Sequence, residues 1–485
     1  MSFEPVFRQV LAHAAQAGER AAIVHEAGTL TYSALAHALR DRAAALARRF
    51  GVCRGDRVAV LAEPTPDFLV TWLAVHSLAA ACVPLDAHAP AERLARVAAR
   101  LAPKLVVSGK PLPPSVPAQA GFVDLSPPTA DAPPAPAVGP EDVADILLTT
   151  GTTADAKAVM LSHRATAAAV RHINAVVGTA PGDVEVLALP LHHSFGLGRA
   201  RCVLASGATL VLVHGFVDGA RLVEALLAQR ATGFASVPAG IAILLACDRG
   251  RLAPLARHLR YLELGSAAMP EAQKRALMHL LPETRICMHY GLTEASRSAF
   301  LRLHEDRDRL ESIGRPSPGV EMRIAAPAGE IGEIEIRGEH LMSGYWQAPE
   351  LTAEKLKDGW LRTGDLGSVD ADGYFFLEAR IDEVINVGGR KVLPREIEEV
   401  LLGHPAVAEC ACLGEPDPQG LAGEMISVWL VARERQAALP AFGELAKLLR
   451  QTLEPYKIPR RFRWIDELPK SASGKVQKHR LREAP

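Results

Sequence analysis

Between residues 30 and 110 the chain alternates between two kinds of periodicity, and that alternation narrows the fold more than any other feature. Leu35 to Phe50, Phe68 to Ala80 and Ala91 to Leu101 carry the alanine- and leucine-rich pattern of helices. Arg57 to Leu61, Ala81 to Val83 and Leu105 to Ser108 are short, mostly apolar runs of strand length. Helices alternating with buried strands predict a parallel, helix-covered sheet. Lys110 to Pro140 is dense in proline and reads as a surface connection, after which the α/β rhythm resumes from Thr166 to about Leu281. From Gly314 to Glu378 the texture changes to short strands with glycine turns, as at Gly332 to Gly338 and Asp370 to Gly373. The predicted class is α/β: a large N-terminal core over residues 1–380 with a small β subdomain at about 314–380, and a smaller α+β domain at 384–485. A charged connection, Ile381 to Glu383, joins the two.

A chain of 485 residues is too long for one core. Its net charge of −1 gives no electrostatic pull toward nucleic acid or an anionic membrane. Phe68 to Leu85 lacks charged side chains, but Thr71, His76, Ser77 and Pro84 interrupt it, which suits a buried helix running into a strand better than a membrane span. The seven cysteines are scattered and the N-terminus carries Glu4, Arg8 and Glu19, so we expect no signal peptide, reduced thiols and a cytoplasmic location.

The segment Leu147 to His163 is the strongest chemical signal. Thr149, Thr150, Thr152 and Thr153 surround Gly151, and Lys157 follows six residues after that glycine. Hydroxyls and backbone N–H groups in one loop donate to phosphate oxygens, and a lysine adds a mobile positive charge. The apolar run before the loop and the one after Lys157 place it at a strand–loop–strand turn. The G-x-x-x-x-G-K-[ST] loop does not fit, since Lys157 lies between Ala156 and Ala158. A polar turn that binds nothing is the alternative.

Further motifs follow in order: Pro190 to Leu197 (Pro-Leu-His-His-Ser-Phe-Gly-Leu), Tyr290-Gly-Leu-Thr-Glu294, Gly338 to Trp346, Arg362-Thr-Gly-Asp365, Arg380, and Pro469 to Lys475. With the threonine loop, this series resembles the adenylate-forming superfamily of acyl- and aryl-CoA synthetases, stand-alone adenylation domains and luciferases, from about Thr29 to Leu481. The resemblance implies a mobile C-terminal domain, an active site between it and the large domain, and two half-reactions. A carboxylate displaces pyrophosphate from ATP to give an acyl-adenylate, and a thiol then displaces AMP.

Matched residue by residue, the resemblance implies that Glu294 binds Mg²⁺, Thr293 contacts the α-phosphate and Lys475 bridges the attacking carboxylate and the α-phosphate. Asp365 and Arg380 take the ribose, while Gly265, Ser266, Ala267, His289, Tyr290 and Gly291 frame adenine. Asp382 takes the hinge position, and Gly388 and Gly389 the hairpin beside a pantetheine tunnel. His193 gates access of the carboxylate to ATP. Adjacent His192 and His193, taken as strand residues, would point to opposite faces and share no metal ion. Phe234, Ser236, Ala239 and Gly240 are expected in the acyl pocket. Arg199, Arg201 and Arg297 lie near those segments, where binding a second carboxylate or a polar substituent of the substrate is one reading and a structural carboxylate partner the preferred one.

The chain departs from the superfamily loop at Ala154 and Ala158, where glycine is usual, and at Ala156, where proline is usual. Glycine serves where φ is positive or a ligand approaches closely. The functional expectation is an ATP- and Mg²⁺-dependent ligase that loads a small organic acid onto coenzyme A. The alternatives are transfer to the phosphopantetheine of an acyl carrier protein, and a nucleotide-binding relative with little turnover.

Overall fold

The computed structural model describes residues 3–112, 114, 116, 119–125, 136–149, 157–215, 219–246, 254–418, 423–434, 439–470 and 476–482. The chain divides into two compact units, Met1–Met322 with Ile336–Leu361, and Arg323–Glu335 with Arg362–Pro485.

The first unit holds two sheets. In the seven-stranded sheet, Arg57–Leu61 pairs in parallel with Ala81–Leu85 and with Leu105–Ser108, and Ala81–Leu85 pairs in parallel with Val143–Leu148. Ala81–Leu85 and Leu105–Ser108 are buried at every position, which is why they read as unbroken apolar runs rather than alternating ones. Ala91–Leu101 and Leu105–Ser108 fall where the periodicity places them. The helix expected at Phe68 to Ala80 instead spans Pro66–Ser77. Thr65 caps its N-terminus by accepting the Phe68 N–H, Pro66 suits the first turn, and left-handed Ala79 (φ 55°) ends it. The proline-dense connection carries a short strand, Gln119–Gly121, parallel to Leu105–Ser108.

The nine-stranded sheet has a parallel centre in the order Arg285–Tyr290, Tyr261–Leu264, Gly233–Ser236, Val184–Leu187, Thr209–Leu212. Gly233 sits between Glu185 and Tyr261 in register, and a Cβ there would come within 2.2 Å of the Tyr261 ring. The missing side chain lets the Tyr261 hydroxyl reach across the strand to Glu185 Oε2 at 2.7 Å.

The helix Ser194–Ala205 is buried from Phe195 to Ala205 although it carries two arginines. Arg199 reaches the nine-stranded sheet, with its Nε 2.9 Å from Glu185 Oε1 and its NH1 3.1 Å from Glu263 Oε2. Arg201 reaches the seven-stranded sheet, donating to Asp145 Oδ2 at 2.7 Å. Trp72 donates to the same aspartate at 2.9 Å and His76 Nε2 lies 3.3 Å from it. Burial favours the neutral form of Asp145, but Arg201 and His76 outweigh it and hold the carboxyl well below its usual range.

The second unit has a three-stranded sheet, Val407–Pro416 antiparallel to Glu424–Ala432, which is parallel to Arg461–Ile465. Helices Pro394–Leu402 and Phe442–Leu449 supply Ile397, Leu401, Leu445 and Leu449 to a core shared with Val428 and Leu430 of the sheet. Val320–Ala325, Gly332–Gly338, Trp360–Val369 and Phe375–Arg380 are short strands in the range read as β. Asp370 to Gly373 turns the last two, with the Asp370 carboxylate accepting the Tyr374 N–H at 2.9 Å. No helix among the described residues is long and apolar enough to cross a membrane.

Buried histidines set an acid limit on this fold. Burial, and then the neighbouring His76, lower His163 to about 3. Burial, and then His340, lower His172 to about 3, and burial lowers His340 to about 4. These rings stay neutral in the folded chain while the unfolded chain takes up protons from about pH 6.5. Stability should therefore fall as pH drops from about 6.5 toward 4, with a further loss below about 4 as Asp145 and Glu263 protonate in the unfolded chain. Denaturation midpoints measured from pH 8 to pH 4 should decline throughout the lower half of that range, and a flat profile there would contradict the assignment.

Candidate active site

The threonine loop has the predicted setting. Val143–Leu148 and Ala158–Ser162 are antiparallel partners, and the Thr149 N–H donates to the Lys157 carbonyl at 2.9 Å, closing the base of the loop. Thr150, Gly151, Thr152 and Thr153, with Ala154 and Ala156, lie outside the described residues. Ala158 does not: it is buried in the strand opposite Leu148, without positive φ, and its carbonyl accepts the Trp346 N–H at 2.8 Å. A strand position of this kind has no need of glycine, so the departure at 158 is conformationally neutral.

Lys157 Nζ lies 5.6 Å from the centroid of the Tyr345 ring, and the Tyr345 hydroxyl donates to Glu294 Oε1 at 2.8 Å. The Glu294 carbonyl accepts the Met342 N–H at 2.9 Å. Thr293 precedes it in the bend that follows Tyr290 and Gly291, where a Cβ on Gly291 would meet the Arg297 backbone at 2.4 Å.

Gly265, Ser266 and Ala267 leave the C-terminal end of Tyr261–Leu264, with Ser266 in the left-handed region at φ 73°. The His289 ring packs against Gly265, where a Cβ would come within 2.1 Å, and the Phe195 ring meets it edge-on at 4.6 Å. His289 Nδ1 lies 2.7 Å from Glu263 Oε1. Burial lowers the pKa of His289 against the opposing pull of Glu263. Arg297 also reaches Glu263 at 3.0 Å and donates to the carbonyls of Ser194 and Phe195 at 3.0 and 2.9 Å. Burial favours a neutral Glu263, but Arg297 and Arg199 hold it well below the usual carboxylate range. Glu263, Glu185 and Tyr345 escaped the sequence reading. A lone glutamate inside the apolar strand Tyr261–Leu264 was the available signal.

The histidine pair needs correction. Leu191 to His193 form a turn after Pro190 rather than a strand, so the opposite-face rule does not apply. The two rings lie 4.2 Å apart at 48°, on one side of the chain. Burial, and then His193, lower His192 to about 4; burial also lowers His193, which takes the N-cap position of Ser194–Ala205.

Of the residues expected in the acyl pocket, Phe234 lines an apolar cavity of about 30 Å³ with Leu226, Ile241, Leu262 and Leu277. Ser236 is buried and donates to the Val237 carbonyl at 3.1 Å, Gly240 is buried and Ala239 is exposed.

In the second unit, Asp365 and Arg380 are register partners, and Arg380 donates to Asp365 Oδ1 at 3.0 Å and to Asp382 Oδ1 at 3.3 Å. Asp365 is buried, with its N–H donating to Thr363 Oγ1 at 3.0 Å. Gly388 and Gly389 turn a hairpin between Ile385–Val387 and Arg390–Val392 at φ 59° and 81°, a conformation that explains both glycines. Lys475 lies outside the described residues. Lys478 donates to Glu383 Oε2 at 2.8 Å and Glu398 Oε1 at 3.3 Å.

Gly265 and Gly291 follow central strands of the first unit, and the second unit buries Asp365 beside Arg380. The model of the AMP-binding enzyme family matches residues 10–346 and that of the AMP-binding enzyme C-terminal domain matches 396–475; the chain belongs to this adenylate-forming family. A feruloyl-CoA synthase from Amycolatopsis sp is 33% identical over 95% of each chain. A sulfoacetate–CoA ligase from Cupriavidus necator is 38% identical over 72% of this chain and 68% of its own. The ATP-bound structure of MatB from Rhodopseudomonas palustris is similar with a TM-score of 0.89 at 28% identity, covering 99% of both chains. The protein is an AMP-forming acid–thiol ligase.

Proposed function

We propose that this ligase activates an aryl carboxylate that carries no second charged group and transfers it to coenzyme A. A carboxylate oxygen of the acid bonds to the α-phosphorus of ATP as the bond to pyrophosphate breaks; the coenzyme A sulfur then bonds to the acyl carbon, its proton is lost to solvent and AMP leaves. We assign Lys157 and the threonine loop to the phosphates, Asp365 and Arg380 to the ribose, and Gly265 to Ala267 with Tyr290 to adenine. Glu294 suits a magnesium ion in its donor chemistry, since a hard carboxylate oxygen with phosphate oxygens and water completing the shell is the usual arrangement. When bound, such an ion neutralises charge that develops on the phosphates. Glu294 would hold that ion, and Lys475 would add a cation at the reacting carboxylate.

The observation that carries the choice of acid is the engagement of the three nearby arginines. Arg199 is held by Glu185 and Glu263, Arg201 by Asp145 and Arg297 by Glu263. None of these three guanidinium groups is left to balance a second anion on the substrate, which favours an aryl group such as feruloyl over a sulfonate. Carboxylate-dependent exchange of labelled pyrophosphate into ATP, over benzoates, hydroxycinnamates, fatty acids of graded length and sulfoacetate, tests this reading. Exchange is expected with aromatic acids, and exchange confined to sulfoacetate or to long fatty acids would overturn it.

A further inference from the structure

We propose that Tyr345 is a positioning residue for adenylation, its hydroxyl orienting the Glu294 carboxylate and its ring face placing the Lys157 ammonium. This rests on the reading that Glu294 holds the magnesium ion and Lys157 the phosphates. Gly344–Tyr345 pairs antiparallel with Ala158–Ser162, with Tyr345 directly opposite Val159. Side chains alternate along a strand, so Lys157, two residues before Val159, falls on the face that Tyr345 shares. That register accounts for the 5.6 Å separation between Lys157 Nζ and the ring centroid, within cation–π range. The hydroxyl at the far end of the ring donates to Glu294 Oε1 at 2.8 Å.

Tyr345 is itself held from several directions. It is 4% exposed, and its N–H donates to Thr352 Oγ1 at 2.9 Å, while the Thr352 hydroxyl donates to the Ala348 carbonyl at 2.9 Å. On either side of Gly344–Tyr345, the Ser343 N–H donates to the Met160 carbonyl and the Trp346 N–H to the Ala158 carbonyl, each at 2.8 Å. A phenol anchored in this way removes the freedom of the Glu294 side chain. With Oε1 accepting the phenol hydrogen, Oε2 is the oxygen presented to a cation, in one orientation. On its other side the ring confines the long lysine side chain, reducing the rotamer freedom lost when phosphate binds.

The test separates hydroxyl from ring and both from Glu294. ATP binding is measured by calorimetry as a function of free Mg²⁺ for the wild type, Tyr345→Phe, Tyr345→Leu and Glu294→Gln, with melting temperatures alongside. Tyr345→Phe is expected to raise the Mg²⁺ concentration for half-maximal ATP binding about tenfold, the usual scale for losing a group that orients a metal ligand. Its metal-free ATP affinity and melting temperature should stay near wild type. Tyr345→Leu should weaken metal-free ATP binding as well, because the platform under Lys157 is gone. If Glu294→Gln shifts the Mg²⁺ dependence and Tyr345→Phe does not, positioning by Tyr345 is overturned and the role of Glu294 stands. An unchanged Mg²⁺ dependence in Glu294→Gln would overturn the metal assignment and this inference with it. A fall in melting temperature alone in Tyr345→Phe would mark the residue as structural and overturn the inference.

Discussion

Replacing Lys475 with alanine should lower the rate of adenylation by about 10²–10³ while leaving thioester formation from preformed acyl-AMP near the wild-type rate. Negative charge builds between the attacking carboxylate and the α-phosphate as the new bond forms, and an ammonium placed there acts most strongly in that transition state. The second half-reaction places its developing negative charge on the acyl oxygen, away from the carboxylate–phosphorus bond at which Lys475 is proposed to act. Nor is a substitute cation at hand in Lys478, which donates to Glu383 at 2.8 Å and Glu398 at 3.3 Å. Burial works against the charge of Lys478, but Glu398 and Glu383 outweigh it, so the ammonium is committed to them. Pyrophosphate exchange reports the first half-reaction, and coenzyme A-dependent consumption of synthetic acyl-AMP reports the second. Equal losses in the two assays would remove the assigned role.

Arg199→Ala should destabilise the first unit by about 3–5 kcal/mol, the range found when one member of a buried ion pair is removed. Arg199 is fully buried between Glu185 and Glu263, which are equally buried. Among the described residues, truncation leaves Glu185 with the Tyr261 hydroxyl and Glu263 with Arg297 and His289. Both carboxylates then face a low-dielectric interior with less compensation, and the loss comes from that exposed imbalance rather than from the attraction removed. Arg275→Ala is the contrasting variant, because it opens an exposed pair with Glu271 on one helix and should hardly move the transition. Urea denaturation of the two variants side by side decides the matter. Equal midpoints would show that the buried cluster contributes nothing particular to stability.

What the sequence disclosed depended on how local the cause was. Arg57–Leu61, Ala91–Leu101 and Leu105–Ser108 could be bounded to the residue because burial on a strand or along one helix face writes itself into neighbouring positions. The strand–loop–strand setting of the threonine loop was legible for the same reason. His192 and His193 were misplaced because an alternation rule was applied where Pro190 begins a turn. Glu263 showed only as a charge in an apolar strand, since Arg199, His289 and Arg297 come from three other segments. Tyr345 sat inside a recognised motif without a role, because its meaning comes from a register with Ala158–Ser162 that no local pattern records.

The helix Ser194–Ala205 begins at the proposed gate, His193, and its two arginines fasten it to carboxylates of both sheets. Its placement therefore owes little to the small side chains expected around the acyl group. Under the proposed assignment of Ser236, Ala239 and Gly240 to the acyl pocket, substitutions there would alter the pocket while the gate keeps its address. Such a separation between what anchors the helix and what measures the substrate would let acid preference change on one scaffold.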